Sequence, residues 1–406
     1  MPDPRCFVGF GFGPIQSGLF LYEAFRTGKF TRLVVAEVDD RIVSMLRASG
    51  GEYHLNIAHA RGIEKASVGG VEVYNPRNQE DRGKLLLAIG EADELATALP
   101  SVAHYDSGGE SSVVGILADA LKAAPVKRRL VYAAENHNHA AEILADHLSR
   151  RLGPNVLESL QIVNTVIGKM SGVITDLGQI RGLGLEKLTP AADRAVLVEA
   201  FNRILIGRVA PGFVRGIDAF IEKDDLLAFE EAKLYGHNAI HALIGYLAHQ
   251  RGLRLMSQVR AHPEIMAVAR RAFLEESGAA LVRKYAHLND PFFSAEGYRA
   301  YAEDLLERMV NPNLQDLVAR VIRDPQRKLS WHDRLIGTMR LSLQYGIRPT
   351  HMAQGAAAAV AFLLWRTPRS KAEVGETMRA IWSETAQEPT AAELVELTWE
   401  GVQHLS

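Results

Sequence analysis

A chain of 406 residues is long for one domain and suits two. Apolar residues make up 47%, charged residues 23%, and the formal net charge is −2, so no global field favours nucleic acid or a membrane surface. The single cysteine, Cys6, excludes a disulfide framework and a cysteine-rich zinc site, and with no visible signal peptide it fits a reducing, cytoplasmic setting.

In chain order, near-continuous apolar runs alternate with helical stretches. RCFVGFG (5–11) reads as a strand, SGLFLYEAFRTG as an amphipathic helix, RLVVAEVDD as a second strand and RIVSMLRAS as a second helix. VGGVEVYNPR (68–77) reads as an inserted hairpin or edge strand. KRRLVYAAENH runs as a strand into the helical AAEILADHLSRRLG, and LESLQIVNTV is a further strand. Strands of this kind separated by helices predict a parallel sheet covered on both faces. From about Pro190 the character changes. ADRAVLVEAFNRILIG, DLLAFEEAKLYGHNAIHALIGYLAHQRG, HPEIMAVARRAFLEESGAALVRKYA and SAEGYRAYAEDLLERMV carry helical periodicity. The run GAAAAVAFLLW (355–365) is too short to span a bilayer and reads as a buried helix. The expected architecture is an α/β domain over 1–189 and a mostly α-helical domain over 190–406, a pairing that commonly sets substrate in the cleft between two domains. Nothing in the chain specifies an interface, so monomer and homodimer are equally compatible with it.

The first strand ends in FVGFGFGPIQSGLF (7–20), a glycine-rich turn that opens a helix. A tight turn needs one glycine, and close approach of a pyrophosphate needs another. The helix N-terminus then offers free N–H groups and a positive dipole end. The expected cradle is Gly11, Phe12, Gly13, Pro14, Ile15 and Gln16. Gln16 stands where the usual pattern has its third glycine, which is tolerable if Gly18 takes over the close helix–strand contact. Glu37 closes the second strand at the spacing where a carboxylate binds ribose hydroxyls and repels a 2′-phosphate. That combination predicts a Rossmann-like domain with NAD preferred over NADP. Asp39 and Asp40 compete with Glu37 for the role, and a plain glycine-rich strand–turn–helix is the alternative.

The second informative stretch is EEAKLYGHNAIHALIGYLAHQ (230–250). On a regular α-helix at about 100° per residue, His237, His241 and Asn238 fall roughly 40°, 80° and 140° from Lys233. Four polar residues thus share one side of a helix whose continuation is apolar nearly all round. On a buried helix such groups pair with one another or face a ligand; a solvated face is the other reading. His237 and His241 have metal-ligand spacing, but the acid of a zinc-protease motif is missing and no cysteine is at hand. HNH (137–139) sits at a strand end, and Asn136 before it is the more interesting residue.

With both stretches read, the sequence resembles the polyol-specific long-chain dehydrogenases, the mannitol dehydrogenase family. The likeness is nearest to members that act on mannitol 1-phosphate, with mannitol 2-dehydrogenases and hexuronate reductases as relatives. Lys233, Asn238 and His241 match the family's K-x4-N-x2-H motif. NPNLQDLVARVIRDPQRKLSWHDRL (311–335) matches its NP-to-RKL block. The likeness covers nearly the whole chain in order: the loop, the strand-2 acid, EN at 135–136, NT at 164–165, the lysine motif and the NP block. It implies a metal-independent, NAD-dependent oxidoreductase with Lys233 as general base. Asn164 and Asn238 are then the amides that hold the reacting oxygen, and His241 positions substrate. Arg320 and Lys328 contact hydroxyls or a charged end, Glu230 is a proton relay beside the substrate, and Asn136 lies near the nicotinamide ribose. The implied partner is a small polyol or sugar phosphate, with no nucleic acid and no membrane. Three segments depart from the family: Gln16 replaces a glycine, TVIGK (165–169) replaces S/T-x-x-D-R, and PSVAHYDSGGESS (100–112) is unlike the family's loop.

Chemistry sets the same demands. A lysine base near neutral pH needs burial or a nearby positive charge to lower its pKa. The basic block holds Arg320, Arg323, Arg327, Lys328 and Arg334, which suit a phosphate or a carboxylate equally, or pair with Asp316, Asp324 and Asp333. The function expected is interconversion of a hexitol phosphate and its ketose phosphate. Alternatives are oxidation of a free polyol or sugar acid and a non-catalytic NAD-binding regulator.

Overall fold

In the computed structural model, which describes residues 5–124, 126–382 and 389–405, the first half of the chain is built on an eight-stranded sheet. In chain order the strands are β1 (Arg5–Phe10), β2 (Phe30–Ala36), β3 (Tyr53–His59), β4 (Gly62–Val68), β5 (Val71–Tyr74), β6 (Glu94–Thr97), β7 (Arg129–Ala133), β8 (Leu160–Val166), β9 (Ser171–Ile174), β10 (Ala195–Glu199), β11 (Ile204–Gly207) and β12 (Phe220–Lys223). The large sheet runs β12-β11-β8-β7-β6-β1-β2-β5. Its six members from β5 to β8 are parallel, and β11 joins β8 antiparallel. The parallel part has the Rossmann order, with the first strand central and the chain winding outward both ways. The edge strand expected in 68–77 is β5.

Strands β1, β6 and β7 are buried almost throughout, which is why they read as unbroken apolar runs. Their faces carry two cores. One stacks Phe20, Tyr132 and Phe220, with Phe220 edge-on to both rings at 5.5 and 5.2 Å. The other packs Val8, Phe10, Leu95 and Val131 under helices Gln79–Glu91 and Val113–Ala123.

A second sheet, β4-β3-β10-β9, corrects one reading of the sequence. ADRAVLVEAFNRILIG is not helical: it supplies β10 and β11. Its apolar run AVLVE is buried on both sides, so no period distinguishes strand from helix there. With β10 to β12 included, the α/β unit extends beyond the expected 189/190 boundary, and the chain divides as Met1–Leu227 and Ala228–Ser406.

The second unit is helical. Leu227–Glu231, Ala232–Asn238 and Ala239–Gln250 form one continuous helix whose middle section is a π turn. Pro263–Arg271, Ala272–Ser277 and Gly278–Tyr285 repeat that pattern. The helix Thr350–Leu364, which contains the apolar run singled out above, packs on Ala239–Gln250. A Cβ at Gly355 would stand 3.0 Å from Leu243 Cβ, so glycine sets how closely these two buried helices approach. No described helix is long and apolar enough to cross a membrane.

Candidate active site

The glycine-rich loop is held from three sides. Gly11 takes a positive φ of 81° and its N–H donates to Ala36 O at 2.8 Å, tying the turn to β2. Glu37 Oε2 accepts the Phe12 N–H at 2.7 Å, and its Oε1 accepts the N–H groups of Val38 and Asp39 at 2.7 and 2.9 Å. Phe12 lies edge-on to Tyr53, whose hydroxyl donates to Ser17 O at 2.8 Å. The strand-2 acid therefore braces the loop. Its competitors have other tasks: Asp39 caps the helix Asp40–Ala48, and Asp40 accepts from the Asn75 amide at 2.6 Å. The helix starts at Pro14, whose missing N–H costs nothing in a first turn, and the first-turn N–H groups have no intrahelical acceptor.

Gln16 resolves differently from the expectation. Its side chain is fully buried and lies over Gly9, where a Cβ would come within 1.9 Å of Gln16 Nε2. The glycine that makes room is thus on β1, not on the helix. Gly18 serves another contact, since a Cβ there would meet Val198 Cγ1 of β10 at 2.5 Å. Both polar atoms of the Gln16 amide lack a partner.

At the ends of β7 and β8 the departures from the expected pattern acquire structural roles. Glu135 Oε1 accepts from Leu99 N at 2.8 Å, and Oε2 accepts from Thr97 Oγ1 at 2.9 Å and from the Tyr105 hydroxyl. Tyr105 belongs to the atypical 100–112 segment, so that segment is anchored to the residue preceding Asn136. Asn136 and the histidines 137 and 139 are exposed. Asn164 Oδ1 accepts from Ala141 N and its Nδ2 donates to Glu142 Oε2, both at 2.8 Å, at the start of the helix Ala140–Leu152. Lys169, the end of TVIGK, is buried and donates to Glu199 O, Phe201 O and Asn202 Oδ1, closing the turn between β10 and β11.

In the second unit, Lys233 and Asn238 lie on the π turn Ala232–Asn238. A regular α-helix sets residues five apart on different faces, but a turn closed from i to i+5 stacks them. The five-residue spacing in K-x4-N therefore fits a π turn. The turn is pinned through Tyr235 O, which accepts from Ser277 Oγ at 2.7 Å and Thr338 Oγ1 at 3.2 Å. Burial, opposed by Glu230 and assisted by the charge of Arg334, lowers Lys233 to about 8. The Asn238 side chain makes no hydrogen bond among the described residues. His237 is buried, and desolvation, with the charge of His241 next, holds it well below its ordinary pKa, so it is neutral.

The NP block brings its charges to the same helix. Asp316 is nearly buried, with Oδ2 3.0 Å from His241 Nε2 and Oδ1 accepting from Arg320 Nε at 2.8 Å and Nη2 at 2.7 Å. Burial works to raise the Asp316 carboxyl, but His241 and Arg320 prevail and hold it below the usual range. Arg334 pairs with Asp333 at 2.8 Å, and Arg327 lies 3.8 Å from Asp324. These arginines thus have the aspartate partners that the structural reading allowed. Lys328 differs. It is 3% exposed, no hydrogen bond or ion pair among the described residues holds its ammonium, and burial with Arg334 and Arg327, opposed by Asp324 and Asp333, lowers it to about 8.

The matches with known proteins agree with this layout. Residues 225–402 match the model of the mannitol dehydrogenase C-terminal domain. The mannitol-1-phosphate 5-dehydrogenase of Arthrobacter sp. (strain FB24) is 30% identical over 391 residues, 94% of this chain and 92% of that protein. The chain belongs to the mannitol dehydrogenase family. The enzyme of the same name from Bacillus licheniformis is 28% identical over 81% of each chain. Among solved structures, a D-sorbitol dehydrogenase in substrate-free form matches with a TM-score of 0.76 at 12% identity, covering 100% of this chain and 95% of that one. A Pseudomonas fluorescens mannitol 2-dehydrogenase ternary complex with NAD and D-mannitol matches at 0.71 and 15%, covering 99% and 94%. These two share the fold.

As a mannitol dehydrogenase family member the chain is an enzyme of the dehydrogenase type, and its sequence-expected residues fall into two sets. Gly11 to Gln16, Glu37, Asn136 and Asn164 lie in the first unit; Glu230, Lys233, Asn238, His241, Arg320 and Lys328 lie in the second. Beside the second set lie Asp316, which the sequence offered only as an ion-pair partner, Arg334 of the basic block, and a neutral His237. For Asp316 the signal was the D-x3-R spacing at 316–320.

Proposed function

We propose that this enzyme interconverts a hexitol phosphate and the corresponding ketose phosphate, with NAD as hydride carrier and Lys233 as general base. The observation that carries the phosphate reading is Lys328: a lysine 3% exposed that makes no ion pair among the described residues, beside two arginines already matched with aspartates. A bound dianion would supply the missing charge.

The first unit suits a dinucleotide. A Cβ at Gly13 would meet nothing within 4 Å, so the protein itself does not require glycine there, and a pyrophosphate approaching the backbone does. Gly11 to Gln16 would hold that pyrophosphate at the helix start. Glu37 accepts three N–H groups and keeps lone-pair capacity for ribose hydroxyls. Asn136 would serve the nicotinamide end. NAD, when bound, takes up the hydride that leaves the carbinol carbon.

The second unit handles the proton and the substrate chain. Neutral Lys233 Nζ accepts the hydroxyl proton, at a pKa close to working pH. Asn238 would donate an amide N–H to the oxygen as negative charge develops. Glu230, three residues from the base and a charge that raises its pKa, would pass the proton onward. His241 and Arg320 receive hydroxyls, and Lys328 the phosphate.

The test is NADH oxidation by the purified enzyme with fructose 6-phosphate, fructose, tagaturonate and fructuronate, and NAD reduction with mannitol 1-phosphate, mannitol and arabinitol. Turnover confined to the phosphorylated pair supports the proposal. Turnover with a free sugar or a uronate alone refutes the phosphate assignment and keeps Lys233 as base.

A further inference from the structure

Asp316 divides its carboxylate between two substrate-side groups. Oδ1 takes both Nε and Nη2 of Arg320, and Oδ2 faces His241 Nε2 at 3.0 Å. The second contact is at ion-pair distance but does not meet the geometry of a hydrogen bond, and both atoms are buried without another partner among the described residues. Catalytic-site contacts of this kind commonly tighten only when substrate binds. An ionised carboxylate at this distance calls for a proton on Nε2, and in the neutral ring Nδ1 is then the nitrogen with a lone pair. Among the described residues Arg320 Nη1 has no hydrogen-bond or ion-pair partner.

The backbone presents Asp316 rigidly. Gln315 before it sits in the left-handed region at φ 53°, unusual for a residue with a side chain, and its amide donates to Pro312 O at 2.7 Å. Asp316 O accepts Met256 N at 2.9 Å, Val318 N donates to Arg254 O at 3.0 Å, and Leu255 bridges Leu317. A strained turn braced on both sides is a costly way to place a surface ion pair, and an economical way to place a positioning group.

We propose that Asp316 is the positioning residue of the substrate site: it fixes His241 with Nδ1 as acceptor for a substrate hydroxyl and holds Arg320 with Nη1 turned to the substrate. This rests on the polyol-phosphate reading above. One carboxylate thus sets the donor and acceptor pattern along the substrate chain. His241 Nδ1 accepts from a hydroxyl and Arg320 Nη1 donates to an oxygen, and the ring nitrogens cannot exchange roles while Asp316 is ionised.

The test is Asp316→Asn, which keeps the shape and removes the charge, read in two ways. In ¹⁵N-labelled protein the ring nitrogens of His241, assigned by their loss in His241→Gln, are expected to show Nε2 protonated and Nδ1 bare. That pattern is expected to disappear in Asp316→Asn. In reduction of fructose 6-phosphate by NADH, KM for the sugar phosphate is expected to rise about tenfold or more, the scale of one charge-assisted hydrogen bond, with the larger share of the loss in KM rather than kcat. NADH binding stays as it was, and Asp316→Glu recovers part of the KM. A merely structural aspartate would lower the melting midpoint and the active fraction while KM and the ring nitrogens stay put, and that result overturns the proposal. If the parent enzyme is silent on every sugar offered, the reaction assignment fails, and the ring nitrogens alone then decide for or against Asp316.

Discussion

Replacing Lys233 by Met should cut activity sharply and raise stability together. Burial and Arg334 lower this lysine from 10.5 to about 8. A base whose folded pKa is depressed costs stability wherever the unfolded chain would be protonated and the folded one resists it. At about 1.4 kcal/mol per pH unit, the charge costs about 3 kcal/mol at pH 7. The cost shrinks to about 1 kcal/mol at pH 10, and is nearly gone above the unfolded pKa. Methionine keeps the apolar stem and has no charge to bury. The variant should therefore be more stable than the parent at pH 7, and the gap should close with rising pH. Turnover should fall by about 10² to 10⁴, the range of a lost general base, with NAD affinity retained. Denaturant unfolding at pH 7 and pH 10, beside steady-state kinetics, measures both. A variant that is less stable than the parent at pH 7, or one that keeps its turnover, would show that Lys233 is not the buried, tuned base described here.

Three further outcomes follow from the same geometry. The rate of alcohol oxidation should rise with pH through a midpoint near 8 and ketose reduction should fall through it; Glu230→Gln, which removes a charge that raises Lys233, should move that midpoint down in a pH–rate profile. Lys328→Gln should raise KM for a phosphorylated substrate by about 10 to 100-fold and leave KM for a free polyol nearly unchanged, and equal effects on both would remove phosphate from its role. Gly9→Ala should cost about 1 to 3 kcal/mol by driving a methyl into Gln16, and Gly9→Ala with Gln16→Gly should recover most of it in thermal unfolding; no recovery would mean that the two residues do not share one space.

Much of the layout was legible because local patterns and the fold agree. The strands β1, β2, β7 and β8 and the helices beside them showed as apolar runs and amphipathic turns, and the long helices of the second unit showed their period. What stayed hidden has physical causes. AVLVE in β10 is buried on both faces and so has no period of its own, and it pairs with β3, far away in sequence. Gln16 was recognised as an exception, but its remedy lay on Gly9 of the preceding strand, a contact that no rule about the helix alone would find.

The lysine motif teaches the most. Drawn on a regular wheel, Lys233 and Asn238 stand about 140° apart, poorly placed to serve one oxygen. The inserted π turn removes that conflict, and its displaced carbonyl is accounted for by Ser277 and Thr338, two buried hydroxyls from other helices. The spacing of five was therefore itself the signal of a π turn, legible only when chemistry demands that both side chains meet. Asp316 follows the same logic from the opposite direction. As sequence it is half of an ordinary i,i+4 ion pair with Arg320, and only the tertiary approach of His241 to its second oxygen turns it from a surface charge into a group that orders the site.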